Sequence, residues 1–219
     1  MKRVGVIHAT LSAVKPLEMA FFEFGDDLEP VNFVDEYMLK RIKDENGLTK
    51  KAKREFLKLV FRAVESNVDA VLVACTVYCP LVPLVREFVD VPVIAIDEPM
   101  MENVLDQPET KIGVIATNLE TAENAKRILD KMNMSRGLSK EVITKVTLEA
   151  FEALKDGNEE QHNFLIGNAA SELMKQGADI IILAQISMAR AEQTVRDLGV
   201  KVLSSPKEGV LRLKRILGK

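Results

Sequence analysis

The sequence predicts an α/β protein built as two similar lobes with parallel sheets, and three observations carry that prediction. Short β-branched runs alternate with longer amphipathic stretches, as a strand-helix repeat requires. The runs are apolar throughout rather than at every second residue, which is the pattern of strands covered on both faces. Finally, the chain contains a weak copy of itself: DAVLVACTVY from Asp69 is answered by DIIILAQISM from Asp179, VPVIAID from Val91 by VKVLSSP from Val200, and GVIHAT from Gly5 by GVIATN from Gly113. The offsets are 110, 109 and 108 residues, a nearly constant register that sets Cys75 opposite Gln185.

Taken in order, Arg3 to His8, Val31 to Val34, Ala70 to Ala74 and Val93 to Ile96 read as buried strands of the first lobe. Leu48 to Ser66 reads as a helix, with Phe56, Leu57, Leu59, Val60, Phe61 and Val64 at helical spacing. The basic run Lys50, Lys51, Lys53 and Arg54 is its solvated face. In the second lobe, strands fall at Lys111 to Ala116, Ile143 to Thr147, Ile180 to Ala184 and Val200 to Leu203, with helices at Glu120 to Lys131 and Glu159 to Lys175. The expected lobes are 1–99 and 100–206, with a terminal helix within 207–219 packing back on the first. The acidic, proline-bearing stretch from Pro99 to Thr110 is the candidate hinge, about which the lobes are expected to close.

Composition excludes several classes. With 30 basic and 33 acidic residues the net charge is −3, which offers no broad attraction for nucleic acid or an anionic membrane. The longest apolar stretch, Ala70 to Val85, is broken by Thr76, Tyr78 and prolines and falls short of the roughly 20 residues of a spanning helix. The N-terminus runs straight into a strand without an apolar leader, and only two cysteines are present, so a cytoplasmic protein without disulfides or a structural metal is expected.

The turn His8-Ala9-Thr10-Leu11-Ser12 lacks the glycines that bring backbone against a pyrophosphate, which disfavours a nucleotide cofactor, and no cofactor is expected. The strand ends supply small polar groups instead: His8 and Thr10, Asp35 and Glu36, Cys75 and Thr76, Asp97 and Glu98, Thr117 and Asn118, Gln185 and Ser187. In parallel sheets all of these fall on the carboxyl edge, where ligands bind. Cys75 is open to two readings, inert packing at a strand end or a thiol whose pKa is lowered by the amides of the following turn. Cys79, beside Pro80, reads as a bystander, and His162 fits a solvated helix position as well as a functional one.

The VLVACT run ending at Thr76 and the IGVIATNLET run from Ile112 to Thr121 resemble motifs of the aspartate/glutamate racemase superfamily, and the resemblance covers essentially the whole chain. It is closest to members whose second motif reads like LAQISMAR, here Leu183 to Arg190. The resemblance implies two flavodoxin-like lobes related by a pseudo-two-fold duplication, an active site between them and a cysteine from each lobe facing a small acid. Gln185 departs from that pattern, since an amide neither removes nor returns a proton at neutral pH. The resemblance therefore implies a cofactor-independent isomerase or lyase acting on a small carboxylate through one cysteine thiolate. Cys75, His8 and Asp97 are the expected catalytic residues, and Thr10, Thr76, Thr117, Asn118, Thr121, Gln185 and Ser187 the expected substrate-binding ones. The alternative is a non-catalytic small-acid binding protein that kept the cleft. A small carboxylate is the expected partner, with homo-oligomerisation admitted.

Overall fold

The computed structural model describes residues 1–45 and 47–218. By its internal packing the chain divides into two compact units, 1–99 with 206–219, and 100–205. The first unit runs β1 (Lys2–His8), α1 (Val14–Phe24), β2 (Leu28–Val34), α2 (Tyr37–Asp44), α3 (Lys50–Glu65), β3 (Ala70–Ala74), α4 (Val82–Val85) and β4 (Val93–Ala95). Its four strands are parallel in the order β2-β1-β3-β4. The second unit runs α5 (Glu98–Asp106), β5 (Lys111–Ala116), α6 (Leu119–Ser135), β6 (Glu141–Val146), α7 (Leu148–Lys155), α8 (Glu159–Lys175), β7 (Ile180–Leu183), α9 (Glu192–Arg196) and β8 (Lys201–Ser204), with the same parallel order β6-β5-β7-β8. A last helix, α10 (Ser205–Leu217), belongs to the first unit over most of its length.

The strand boundaries follow from the residue types. β2 begins at Leu28, three residues before the apolar run suggests, and passes through Pro30. As an edge strand it has no ladder bond to lose on its outer side, so the missing N–H is tolerated. Helix α3 is capped by Thr49, whose Oγ1 accepts from the Ala52 amide at 3.2 Å, and it buries Ala52, Phe56, Val60 and Ala63 at spacings of one turn. Lys50, Lys51 and Arg54 lie exposed on its outer side.

Two repeated residue types serve the framework. Gly5 in β1 faces α3: a Cβ there would stand 3.1 Å from the Cβ of Ala63. Gly113 in β5 faces α8 more tightly, with a Cβ falling 2.6 Å from Ile181 Cδ1 and 3.1 Å from Leu173 Cδ1. Asp69 and Asp179 open the repeated motif of β3 and β7, and both clasp the start of the neighbouring strand. Asp69 Oδ2 accepts from the Arg3 amide at 2.8 Å, and Asp179 accepts from the amides of Thr110 and Lys111 at 2.8 and 2.9 Å.

The stretch from Pro99 to Thr110 is not an open linker. Most of it is α5, and Met100, Met101, Val104 and Leu105 are buried in the same core as β5, β7 and α6. Proline in a first helical turn costs no hydrogen bond, so Pro99 starts the helix rather than breaking the chain. No helix among the described residues is long and apolar enough to cross a membrane.

Candidate active site

In each unit the first strand lies between the second and the third, β2-β1-β3 and β6-β5-β7, so the winding reverses between the first and the third. The carboxyl ends at that reversal are where open parallel sheets hold ligands. In the first unit these are the ends of β1 and β3, carrying His8 and Cys75. In the second they are the ends of β5 and β7, carrying Thr117 and Gln185.

His8 closes β1 in register with Ala74 of β3 and is fully buried, 0% exposed. Its Nε2 lies 2.9 Å from Asn32 Oδ1 on β2, and Asn32 Nδ2 donates to Glu18 Oε1 on α1 at 3.1 Å. Nδ1 is buried with no hydrogen-bond partner. Burial holds the imidazole pKa below its ordinary value, opposed by the Asn32 hydrogen bond and the Glu18 charge. Thr10, two residues on, accepts from Ser12 Oγ at 3.1 Å.

Cys75 follows β3 and is 8% exposed. Its carbonyl accepts from the amides of Tyr78 and Cys79, at 2.9 and 3.1 Å, which folds Thr76 to Tyr78 into a tight turn. Burial pushes the thiol up to about 11, against the pull of the Val77 and Tyr78 amides and with the push of the Asp97 charge. This corrects the expectation of a resting thiolate: the turn amides are present, but desolvation outweighs them. Thr76 is half-buried beside it.

Asp97, after β4, is buried, and burial raises its carboxyl above the usual range against the hydrogen bond it receives from the Cys79 thiol. Its Oδ2 has no partner. The Cys79 thiol is buried and donates to the Val73 carbonyl at 3.7 Å; burial raises its pKa, and the Asp97 charge adds to the rise.

Two further groups in this unit escaped the sequence reading. The Tyr78 hydroxyl is buried without a hydrogen bond, while its ring stacks on Phe56 with centroids 4.7 Å apart. Burial pushes its phenol up to about 12, helped by the Cys75 charge and opposed by Arg41. Arg41, on α2, has its Nη1 buried without a hydrogen bond, with Asp35 Oδ2 at 4.0 Å. Both donors belong to elements around the Cys75 turn, and only the fold shows that they are unspent.

In the second unit the counterpart of the thiol is engaged. Gln185 Oε1 accepts from the Thr117 amide at 2.7 Å and from the Thr117 hydroxyl at 2.8 Å. Because the backbone N–H can only donate, the oxygen of the amide must face Thr117 and the Nε2 donors must point away. Asn118 Oδ1 accepts from the Thr121 amide at 2.8 Å as the cap of α6. That commits the Asn118 oxygen and the Thr121 amide to the helix start. Ser187 lies in the short 3₁₀ turn after Gln185, its carbonyl taking the Arg190 Nε at 2.8 Å. His162 is buried in α8, with Nδ1 2.9 Å from Asn163 Oδ1 and Nε2 unpartnered; burial lowers its pKa.

The sequence matches the Asp/Glu/Hydantoin racemase family over residues 4–213. The chain belongs to this family. An aspartate racemase homologue from Pyrococcus horikoshii OT3 superposes with a TM-score of 0.74 at 16% identity, covering 100% of both chains. Allantoin racemase from Klebsiella pneumoniae gives 0.72 at 19% identity over 100% of this chain and 89% of its own. Glutamate racemase from Francisella tularensis, solved with D-glutamate, gives 0.72 at 18% identity over 99% and 81%. At these identities the likeness is one of fold. No curated protein sequence matches the chain.

Proposed function

We propose that this racemase-family protein is a cofactor-independent isomerase or lyase of a small carboxylate-bearing substrate, with His8 as base and Cys75 as proton donor. The observation that carries the reading is the pair at the end of adjacent strands: an imidazole with one bare nitrogen, and a thiol that burial keeps protonated. Those are the resting states an acid-base couple needs near neutral pH.

In an isomerisation, His8 Nδ1 takes the proton on the carbon next to the carboxylate, and the electron pair left behind spreads into that carboxylate as an enediolate. The Cys75 S–H bond then breaks as its proton passes to carbon. The imidazolium returns its proton to the thiolate, and both groups are reset. In a decarboxylation the C–C bond to the departing carbon dioxide supplies the pair, Cys75 protonates it, and water re-protonates the thiolate. Arg41 Nη1 and the Tyr78 hydroxyl are the first unit's unspent donors for the developing oxyanion, a role in which buried donors act strongly. Thr10 and Thr76 add hydroxyls there. Asp97 adds its charge to burial in keeping the Cys75 thiol protonated.

The test is proton exchange in deuterated water with aspartate, glutamate and allantoin, followed by proton NMR. Loss of the signal at the acidic carbon in wild type, and its retention with Cys75→Ala and with His8→Gln, is expected. No exchange with any of the three, together with a Cys75 that iodoacetamide never modifies, would remove the support for chemistry. A second reading, a small-acid binding protein, is favoured by the engagement of Gln185 with Thr117. It requires that Cys75→Ala bind such acids as wild type does.

A further inference from the structure

The line of side chains behind His8 fixes which ring nitrogen can act, and the orientation of each member is forced by the one outside it. Glu18 is exposed on α1, and its carboxylate is an acceptor. The group of Asn32 that faces it at 3.1 Å must then be the NH2 end of the amide. The amide oxygen is thereby turned to His8 Nε2 at 2.9 Å, and an amide oxygen only accepts. Nε2 must therefore carry the ring hydrogen of the neutral imidazole, which leaves Nδ1 as a lone pair. That nitrogen is the buried one without a partner.

We propose that Asn32 and Glu18 are positioning residues that hold His8 in its Nε2–H tautomer, presenting Nδ1 as the unprotonated atom at the end of β1. The consequence for turnover rests on the reading of His8 as the base, whereas the tautomer itself does not. Neither residue touches a substrate on this account. They act through His8 alone: the other tautomer would set two acceptors against each other, at the His8–Asn32 contact or, if the amide turned over, at the Asn32–Glu18 contact, and would leave an Nδ1–H buried without an acceptor. No other element offers Nε2 a competing partner among the described residues.

Long-range nitrogen-proton NMR correlations of the two histidines in the full-length protein, with His8 assigned by comparison with His8→Gln, test the proposal directly. Wild type is expected to show His8 as a single neutral tautomer with Nδ1 in the unprotonated range. Glu18→Ala, an exposed change that leaves the core intact, is expected to free the Asn32 amide to turn over and to bring the second tautomer into view. Glu18→Gln, whose amide can accept from Asn32 in one orientation and donate to it in the other, no longer forces the direction and is expected to show the mixture as well. Asn32→Ala is expected to give the same mixture as Glu18→Ala. In the exchange assay with aspartate, glutamate and allantoin, both alanine variants should lose at least about 10-fold in kcat with KM nearly unchanged, against the roughly 100- to 10,000-fold that a general base contributes. Wild-type His8 found with its proton on Nδ1, or a tautomer indifferent to both alanine variants, overturns the positioning role. A fixed tautomer in a protein that exchanges none of the three substrates leaves the positioning intact and sinks the catalytic reading of His8 instead.

Discussion

Alkylation of Cys75 by iodoacetamide as a function of pH measures the balance between burial and the turn amides. With the thiol near 11, the thiolate fraction at pH 7 is about 1 in 10,000, against about 1 in 100 for an ordinary thiol at 9.0. A more basic thiolate is intrinsically more nucleophilic, which returns roughly a factor of 8 for two units of basicity. The net expectation is a reaction about 10-fold slower than a free thiol before steric shielding is counted. The profile is more decisive than the rate, because neither nucleophilicity nor access moves the midpoint. The rate should still climb tenfold per pH unit at about pH 10, where an unperturbed thiol has levelled. Asp97→Asn removes a charge that pushes the thiol up and should lower the midpoint, while burial, the larger cause, keeps it above 9.0. Tandem mass spectrometry separates Cys75 from Cys79 on their shared peptide. The same shift has a stability sign: a folded pKa above the unfolded one stabilises the fold below 9 and loses that contribution as pH rises toward 11, so short pulses are required. A wild-type midpoint at or below 9 would show that the amides of Val77 and Tyr78 prevail, and the resting protonated thiol would have to be abandoned.

Other outcomes follow from the same structure. Gly113→Ala should cost about 1–3 kcal/mol in urea unfolding, because Ile181, Ala178 and Leu173 crowd the new Cβ; an unchanged midpoint would mean α8 can retreat freely. Gln185→Leu strands the Thr117 amide and hydroxyl and should destabilise by roughly 1–3 kcal/mol, while Gln185→Glu keeps the acceptor and should cost less; equal losses would deny the bond its role. Tyr78→Phe and Arg41→Gln should leave folding near wild type but weaken binding of an exchanging acid about 10- to 100-fold by calorimetry, and unchanged affinity would remove them from the site. His8 is held neutral by burial, so its contribution is present above pH 6.5 and lost as pH falls toward its lower folded value. Wild type should therefore lose stability more steeply than His8→Gln below about pH 6.5, by at most about 1.4 kcal/mol per pH unit, and parallel curves would contradict the assignment.

The central strands were legible because a buried parallel strand is apolar along its whole length; the edge strands β2 and β6 are only partly buried and carry Asn32 and Lys145, yet their apolar residues still located them. Their ends were less so: Pro30 hid the start of β2, since proline demotes a strand everywhere but at an edge, and edge position is a property of the sheet. Helix α5 was missed although its signal was present. Pro99 stands where a helix begins, and Met100, Met101, Val104 and Leu105 share one face, but acidic neighbours made the stretch look like a linker. At the site, residue types and strand ends could be read, which located His8, Cys75, Thr117 and Gln185. What could not be read was which polar atoms are already engaged. Asn118 turned out to be capping α6, Gln185 to be holding Thr117, and Tyr78 and Arg41 to keep buried donors without hydrogen bonds.

The two units spend their shared residues and their differing residues in different places. Gly5 and Gly113 admit a helix against the sheet, and Asp69 and Asp179 clasp one strand to the next; these recur at matching positions. Two exchanges, Ala9 for Thr117 and Cys75 for Gln185, fall just beyond the last ladder bonds of the central strands, and a third, His8 for Ala116, falls on the final residue of β1 and β5. A reagent mounted there is like a tool in a socket: it can be swapped for another while the ladder that forms the handle keeps its pairing. After such a doubling, one half can keep a reactive thiol while the other trades its reagent for a brace, and the frame of neither half registers the difference.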